Sequence, residues 1–175
     1  MTRILLDATT LIALGTIGEL ELLTSFSGDL VVFPVVEDEV TTEPARTNLD
    51  RFTDRHGVVT ADDLSIDRLH EAKRVLGAES ENGDVYLIAA VLSETAASKP
   101  VGVVSDDRRV RTTARGLGAT VTGTVGVIVR AVDEGLDPQD AHEIVERVDS
   151  HGLHMTGSLR KKAASLIDEA AGHEV

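Results

Sequence analysis

Apolar and polar positions follow two rhythms along this chain. Short runs of consecutive apolar residues bounded by polar or turn residues read as buried strands, and longer stretches with apolar residues three and four apart read as helices. Arg3 to Leu6 is the first strand, with helical segments expected around Leu11 to Leu14 and from Glu19 to Phe26. Leu30 to Phe33 reads as a second strand ended by Pro34, which can open a helix carrying Glu39 in its first turn. Val58-Val59-Thr60 is a weaker third strand, and no element is assigned between Val40 and Val58. Ser65 to Leu76 is a helix with Ile66, Leu69, Ala72, Val75 and Leu76 on one face, and Asp84 to Ser93 is another. The clearest strand, Val101 to Val104, lies between Pro100 and Asp106-Asp107, and the helix after it runs from Arg108 to Leu117 and closes at Gly118. Ala119-Thr120-Val121 is a short final strand, followed by helices over Gly123 to Val132, Pro138 to Val148 and Leu159 to Ala171. Strands alternating with helices predict crossover units, hence an α/β fold with a mostly parallel central sheet of about five strands.

Composition narrows the classes. With 175 residues and 42% hydrophobic content, the chain suits one domain over 1–175, with a helical C-terminal extension from about 138. No window approaches the roughly 18 apolar residues of a membrane span, and Met1-Thr2-Arg3 leads into a short apolar run without a cleavage pattern, so a cytoplasmic protein with no membrane partner is expected. The absence of Cys excludes disulfides, thiolate metal sites and cysteine nucleophiles. Thirty acidic residues against 17 basic give a formal charge of −13, and only Lys73, Lys99, Lys161 and Lys162 are lysines. A halophilic, high-salt cytoplasm accounts for such a surface, because molar salt shortens the Debye length to about 3 Å and relieves self-repulsion. The same charge argues against a broad basic face for nucleic acid.

Against that background single carboxylates say little, and position has to carry the argument. Asp7 and Asp107 follow hydrophobic strands, and sites in open α/β sheets form beyond the carboxyl ends of strands. Asp84 opens a helix, where capping and the helix dipole offer a purely structural role. Glu39 also reads as a solvated residue of an acidic helix, and Asp106 with Asp107 as the cap and first-turn charge of the Arg-rich helix. If Asp7, Glu39, Asp84 and Asp107 meet, they call for a hard divalent cation such as Mg²⁺ or Mn²⁺ and a phosphate-bearing substrate.

The order of these segments resembles the PIN-domain ribonucleases, and within them a prokaryotic branch related to toxin-type nucleases. Leu5-Leu6-Asp7-Ala8-Thr9 resembles the family's opening strand and acid, and Phe33-Pro34-Val35-Val36-Glu37-Asp38-Glu39-Val40 its Pro-x-x-Val-x-x-Glu helix. Asp84-Val85-Tyr86-Leu87-Ile88 resembles the acid opening the central helix, and Ser105-Asp106-Asp107 the strand-ending Ser-x-Asp. Gly123-Thr124-Val125-Gly126 resembles the branch's Gly-Thr-x-Gly segment, and Gly152-Leu153-His154-Met155-Thr156 through Leu159 its tail. One departure is Glu81-Asn82-Gly83-Asp84, where the branch often carries Gly-Glu-x-Glu.

The resemblance implies a three-layer α/β/α fold and metal-dependent hydrolysis of RNA phosphodiester bonds by the toxin of a toxin-antitoxin pair. It further implies a small antitoxin partner and a homodimer. Asp7, Glu39, Asp84 and Asp107 would hold one or two Mg²⁺ or Mn²⁺ ions, with Asp106 able to replace or share the role of Asp107. Thr9 and Ser105 would fix a carboxylate through their hydroxyls.

Arg108, Arg109, Arg111 and Arg115 concentrate beside these acids, where they read either as a phosphate clamp or as surface counter-charges. Phe26, Phe33, Phe52 and Tyr86 are few for base stacking, and His56, His70, His142, His151, His154 and His173 are scattered. Neither a phosphate-cradling Gly loop nor a Ser nucleophile elbow occurs. The alternative to an enzyme is an inactive PIN-like module that binds a small antitoxin or regulatory protein. A phosphoacceptor receiver would need a strong mid-chain strand-end Asp, for which only Asp62 offers itself, and a Lys directly after Val121, where none stands.

Overall fold

Four short, mostly apolar segments pair side by side in the computed structural model, which describes residues 1–59, 63–151 and 153–172. They are β1 (Arg3–Leu6), β2 (Asp29–Val31), β3 (Val101–Val104) and β4 (Thr120–Thr122). All pairs are parallel and the order is β2-β1-β3-β4, with Leu6 opposite Val104 and Val104 opposite Thr122. Every residue of β3 is buried, as expected of a central strand covered on both faces.

The helices are α1 (Ala8–Thr16), α2 (Pro34–Glu39), α3 (Ala45–His56), α4 (Ile66–Leu76), α5 (Gly83–Ala96), α6 (Arg108–Gly116), α7 (Thr124–Asp133), α8 (Pro138–His151) and α9 (Gly157–Gly172), with a 3-10 turn at Leu20–Ser25. α4, α5 and α6 pack on one another, while α1, α7, α8 and α9 form a second group, so the sheet is flanked by helices in an α/β/α arrangement. The core between them is aliphatic: Leu5, Leu6, Leu11, Leu14, Leu87, Ile88, Ile128 and Ile167 are fully buried, with Phe33 the largest such side chain. Among the described residues no helix is long and apolar enough to cross a membrane.

Several elements differ from the sequence expectation for local reasons. Four strands form where about five were expected: Val59 makes one isolated parallel bridge to Val31, and Thr60 lies outside the described residues, as do Asp62, Gly152 and His173. β2 stops at Val31 because Phe33 already serves as N-cap of α2, with Pro34 at the first helical position. That helix has only six residues, so Glu39 ends it instead of sitting in its first turn. α3 was not expected. It shows the core only Ala45, Leu49 and Phe52 amid polar residues, and it ends at Gly57, whose φ of 56° is the left-handed conformation that suits glycine at a helix C-terminus. On α4 the buried face holds Leu69, Ala72 and Leu76, whereas Ile66 and Val75 are exposed.

Candidate active site

Strand order fixes where chemistry can gather. From β1 the chain crosses to β2 on one side, and β3 lies on the other, so the crossovers part above β1 and β3 and leave a crevice at their carboxyl ends. Asp7 follows β1, and Ser105-Asp106-Asp107 follows β3. Their backbones are tied directly, since the Asp7 amide donates to the Val104 carbonyl at 3.0 Å.

Asp7 is 2% exposed. Its Oδ2 accepts a hydrogen bond from Thr9 Oγ1 at 2.9 Å and a short one from Ser105 Oγ. Each hydroxyl in turn accepts an amide: Asp106 N donates to Thr9 Oγ1 and Asp107 N to Ser105 Oγ, both at 3.1 Å. Two hydroxyls thus link the Asp7 carboxylate to consecutive amides after β3. Burial pushes the Asp7 pKa up; the bonds from Ser105 and Thr9 pull it back, and the nearby charge of Asp84 pushes it up again. Glu94, the other buried acid among the described residues, is met differently. Its Oε1 takes a 2.9 Å ion pair from Arg3. Asp7 has hydroxyls and a second carboxylate for neighbours and no such counter-ion among the described residues.

Asp84 stands in the first turn of α5, and its Oδ2 accepts from Arg109 Nη2 at 2.9 Å, an ion pair half open to solvent on the arginine side. Glu39 reaches the same helix start from α2: its Oε1 accepts from the Gly83 amide at 2.7 Å. Glycine gives Glu39 this close approach, for a Cβ on Gly83 would fall 2.9 Å from Glu39 Oε1 and 3.0 Å from Val36 Cγ2. Asn82 completes the helix start by accepting from the Val85 amide at 3.1 Å. Asp7, Asp84 and Glu39 therefore share one neighbourhood by charge and by hydrogen bond.

The two acids after β3 are engaged otherwise. Asp107 caps α6, its Oδ1 accepting from Val110 N at 2.9 Å. Asp106 turns to α7: Oδ1 accepts from the Thr124 amide at 2.9 Å, and Oδ2 accepts from Thr124 Oγ1 and, at 3.4 Å, from Thr10 Oγ1. Sequence reasoning assigned no role to Thr10 or Thr124, both fully buried, although the Gly123-Thr124-Val125-Gly126 segment had drawn notice. Arg111 Nη1 donates to the Ser105 carbonyl at 2.8 Å, and Arg108 is exposed. Phe33 and Phe52 are buried, Tyr86 packs on Phe33 and Arg130 lies over Phe26.

A model of the family described as "DUF3368: PIN domain" matches residues 3–169, nearly the whole chain. The chain belongs to this PIN-domain family. No curated protein and no solved structure matches it. PIN domains are generally nucleases, hydrolases that act on nucleic acid with divalent metal ions. The fit of a metal to this PIN domain rests on its donors. All are carboxylate oxygens, the type hard divalent cations select, and Asp7 is buried with the charge of Asp84 nearby and no counter-ion of its own among the described residues, Arg109 being engaged on Asp84. As the side chains stand, among the described residues no three acids or histidines close on one point as a finished cage.

Proposed function

We propose that this PIN domain is a Mg²⁺- or Mn²⁺-dependent endoribonuclease and the toxin of a prokaryotic toxin-antitoxin pair. The carrying observation is Asp7: a buried carboxylate without a cationic partner among the described residues, within reach of the charge of Asp84, at the crevice of a parallel sheet. Asp7, Glu39, Asp84 and Asp107 would hold the ion, with Asp106 the reserve for Asp107. The ion, when bound, supplies a water of lowered pKa and charge to offset the phosphate. Thr9 and Ser105 hold Asp7 in one orientation, and Gly83 holds Glu39. Arg108 and Arg109, exposed at the start of α6, would meet substrate phosphate, with Arg111 of the same helix. The whole of 1–175 is taken as one PIN-like unit, cytoplasmic and halophilic, extended by helices from about 138 and working as a homodimer under a small antitoxin.

The test is cleavage of labelled single-stranded RNA with and without Mn²⁺, alongside a thermal melt. Cleavage that needs the ion and disappears in Asp7→Asn and in Asp84→Asn supports the reading, as does a melt raised by Mn²⁺ in the parent alone. RNA left intact across metals and salt concentrations ends it. A second reading, an inactive module that binds a small regulatory protein, draws on the protein partners the acids already have: Arg109 on Asp84, Val110 N on Asp107 and Thr124 on Asp106. That reading predicts intact RNA and a melt indifferent to Mn²⁺.

A further inference from the structure

Beyond the carboxyl end of β4, the first turn of α7 and one face of α9 enclose a cleft of about 410 Å³, a size within the ~300–1,000 Å³ typical of ligand sites. Val121, Val125, Leu159 and Leu166 give it aliphatic sides. Arg111, His154 and Lys162 supply its polar groups. Asp106 also faces it, with its carboxylate already occupied by Thr124 and Thr10.

The cleft brings an arginine and a lysine to one opening of a strongly acidic chain. Most arginines of this acidic protein pair with a carboxylate, among them Arg3, Arg55, Arg109, Arg147 and Arg160. Among the described residues Arg111 and Lys162 have no such partner, yet they line the same opening. Arg111 is also held in place, its guanidinium donating to the Ser105 carbonyl at 2.8 Å. Two cations beside aliphatic walls fit a ligand with an anionic group and an apolar body, a combination that a nucleotide supplies. The cleft also shares a wall with the acid site, because Asp106 lies between Ser105 and Asp107 and its amide bonds Thr9, which bonds Asp7.

We infer that this cleft seats one nucleotide of a single-stranded RNA beside the point of cleavage, its base against Val121, Val125 and Leu159 and its phosphate on Arg111 and Lys162. The inference rests on the nuclease reading for its substrate. It adds a subsite lined from α6, β4, α7 and α9, none of which carries Asp7, Glu39 or Asp84.

The test measures binding of a fluorescent oligoribonucleotide to the full chain carrying Asp7→Asn, across a range of KCl, with Lys162→Ala or Lys161→Ala added. Lys161 is the neighbouring exposed lysine and does not line the cleft. Lys162→Ala should weaken binding to every sequence and flatten the plot of log affinity against log salt by about 0.7 to 1, while Lys161→Ala leaves both unchanged. Equal effects of the two substitutions overturn the inference, as does failure of the oligonucleotide to bind at low salt, which would leave the cleft to a polypeptide. Cleavage by the parent chain is read in parallel. Lys162-dependent binding without cleavage sinks the nuclease reading and keeps the subsite; cleavage with no Lys162 effect sinks the subsite alone.

Discussion

At the scale of single residues, Asp7 sets stability against function. Its pKa is raised by burial above the value of an unfolded aspartate, about 3.9. Below that value both states hold the proton and the residue has no net effect on folding. As pH rises through the window between the unfolded and the raised folded value, the unfolded chain releases its proton first, and stability falls until both states are ionised. Asp7→Asn should therefore melt higher than the metal-free parent at pH 7, by about 2–4 °C for each kcal/mol relieved. The advantage should vanish below about pH 4, and RNA cleavage should be lost at every pH. Equal melting of the two proteins at pH 7 without metal would refute the account. Ser105→Ala removes a bond that lowers the same pKa, so it should steepen the pH dependence in the parent. Arg109→Ala tests the opposite side of the site. Its ion pair with Asp84 is half exposed, so its loss should change stability by less than about 1 kcal/mol. Freed of a competing cation, Asp84 should then bring the midpoint of Mn²⁺ stabilisation to lower concentration, and an unchanged midpoint counts against Asp84 as a ligand.

At the scale of elements, the start of α5 is where two helices meet the site. Gly83 carries helical backbone that accepts Ala, so the fold should survive Gly83→Ala. The new Cβ would press on Glu39 Oε1 and Val36 Cγ2, at 2.9 and 3.0 Å. Displacing Glu39 by this means should lower cleavage between about tenfold and a hundredfold, with far-ultraviolet dichroism unchanged; full activity would show that Glu39 is not needed where it stands. The elements of the site were legible in sequence to different degrees. β1 after Arg3 and all of β3 are short runs without a polar side chain, and acids that follow such strands within a few residues lie at one sheet edge, so Asp7 and the Asp106-Asp107 pair could be placed from pattern alone. α3 could not be, since Ala45, Leu49 and Phe52 recur at helical spacing but are outnumbered by polar neighbours. Nor could the division of labour between the two acids after β3. It depends on Thr124, 18 residues away from Asp106, and on Thr10, 96 residues away, contacts that exist only once α1 and α7 have packed beside the end of β3.

At the scale of the whole molecule, the formal charge of −13 poses a contest between two electrostatic effects of opposite sign. Ion pairs such as Arg55 with Glu21 at 2.7 Å and Arg160 with Asp149 at 3.0 Å attract, and salt weakens attraction; the surplus acids repel, and salt weakens that as well. Distance decides between them. At 0.1 M salt the Debye length is about 10 Å, so contacts near 3 Å are little screened by added ions, whereas repulsion between acids spread over the surface acts at separations that screening reaches. Because exposed pairs contribute only about 0–1 kcal/mol each, relief of the long-range repulsion should win. The melting temperature should rise steadily from 0.1 to 2 M KCl at pH 7. It should rise much less at pH 4, where many of the carboxylates have taken up protons and the surplus charge is small. A slope independent of pH would assign the effect to salt exclusion from the surface instead of to charge. A melting temperature that falls with KCl at pH 7 would mean that the ion pairs dominate, and the acidic surface would then have to be explained without a high-salt environment.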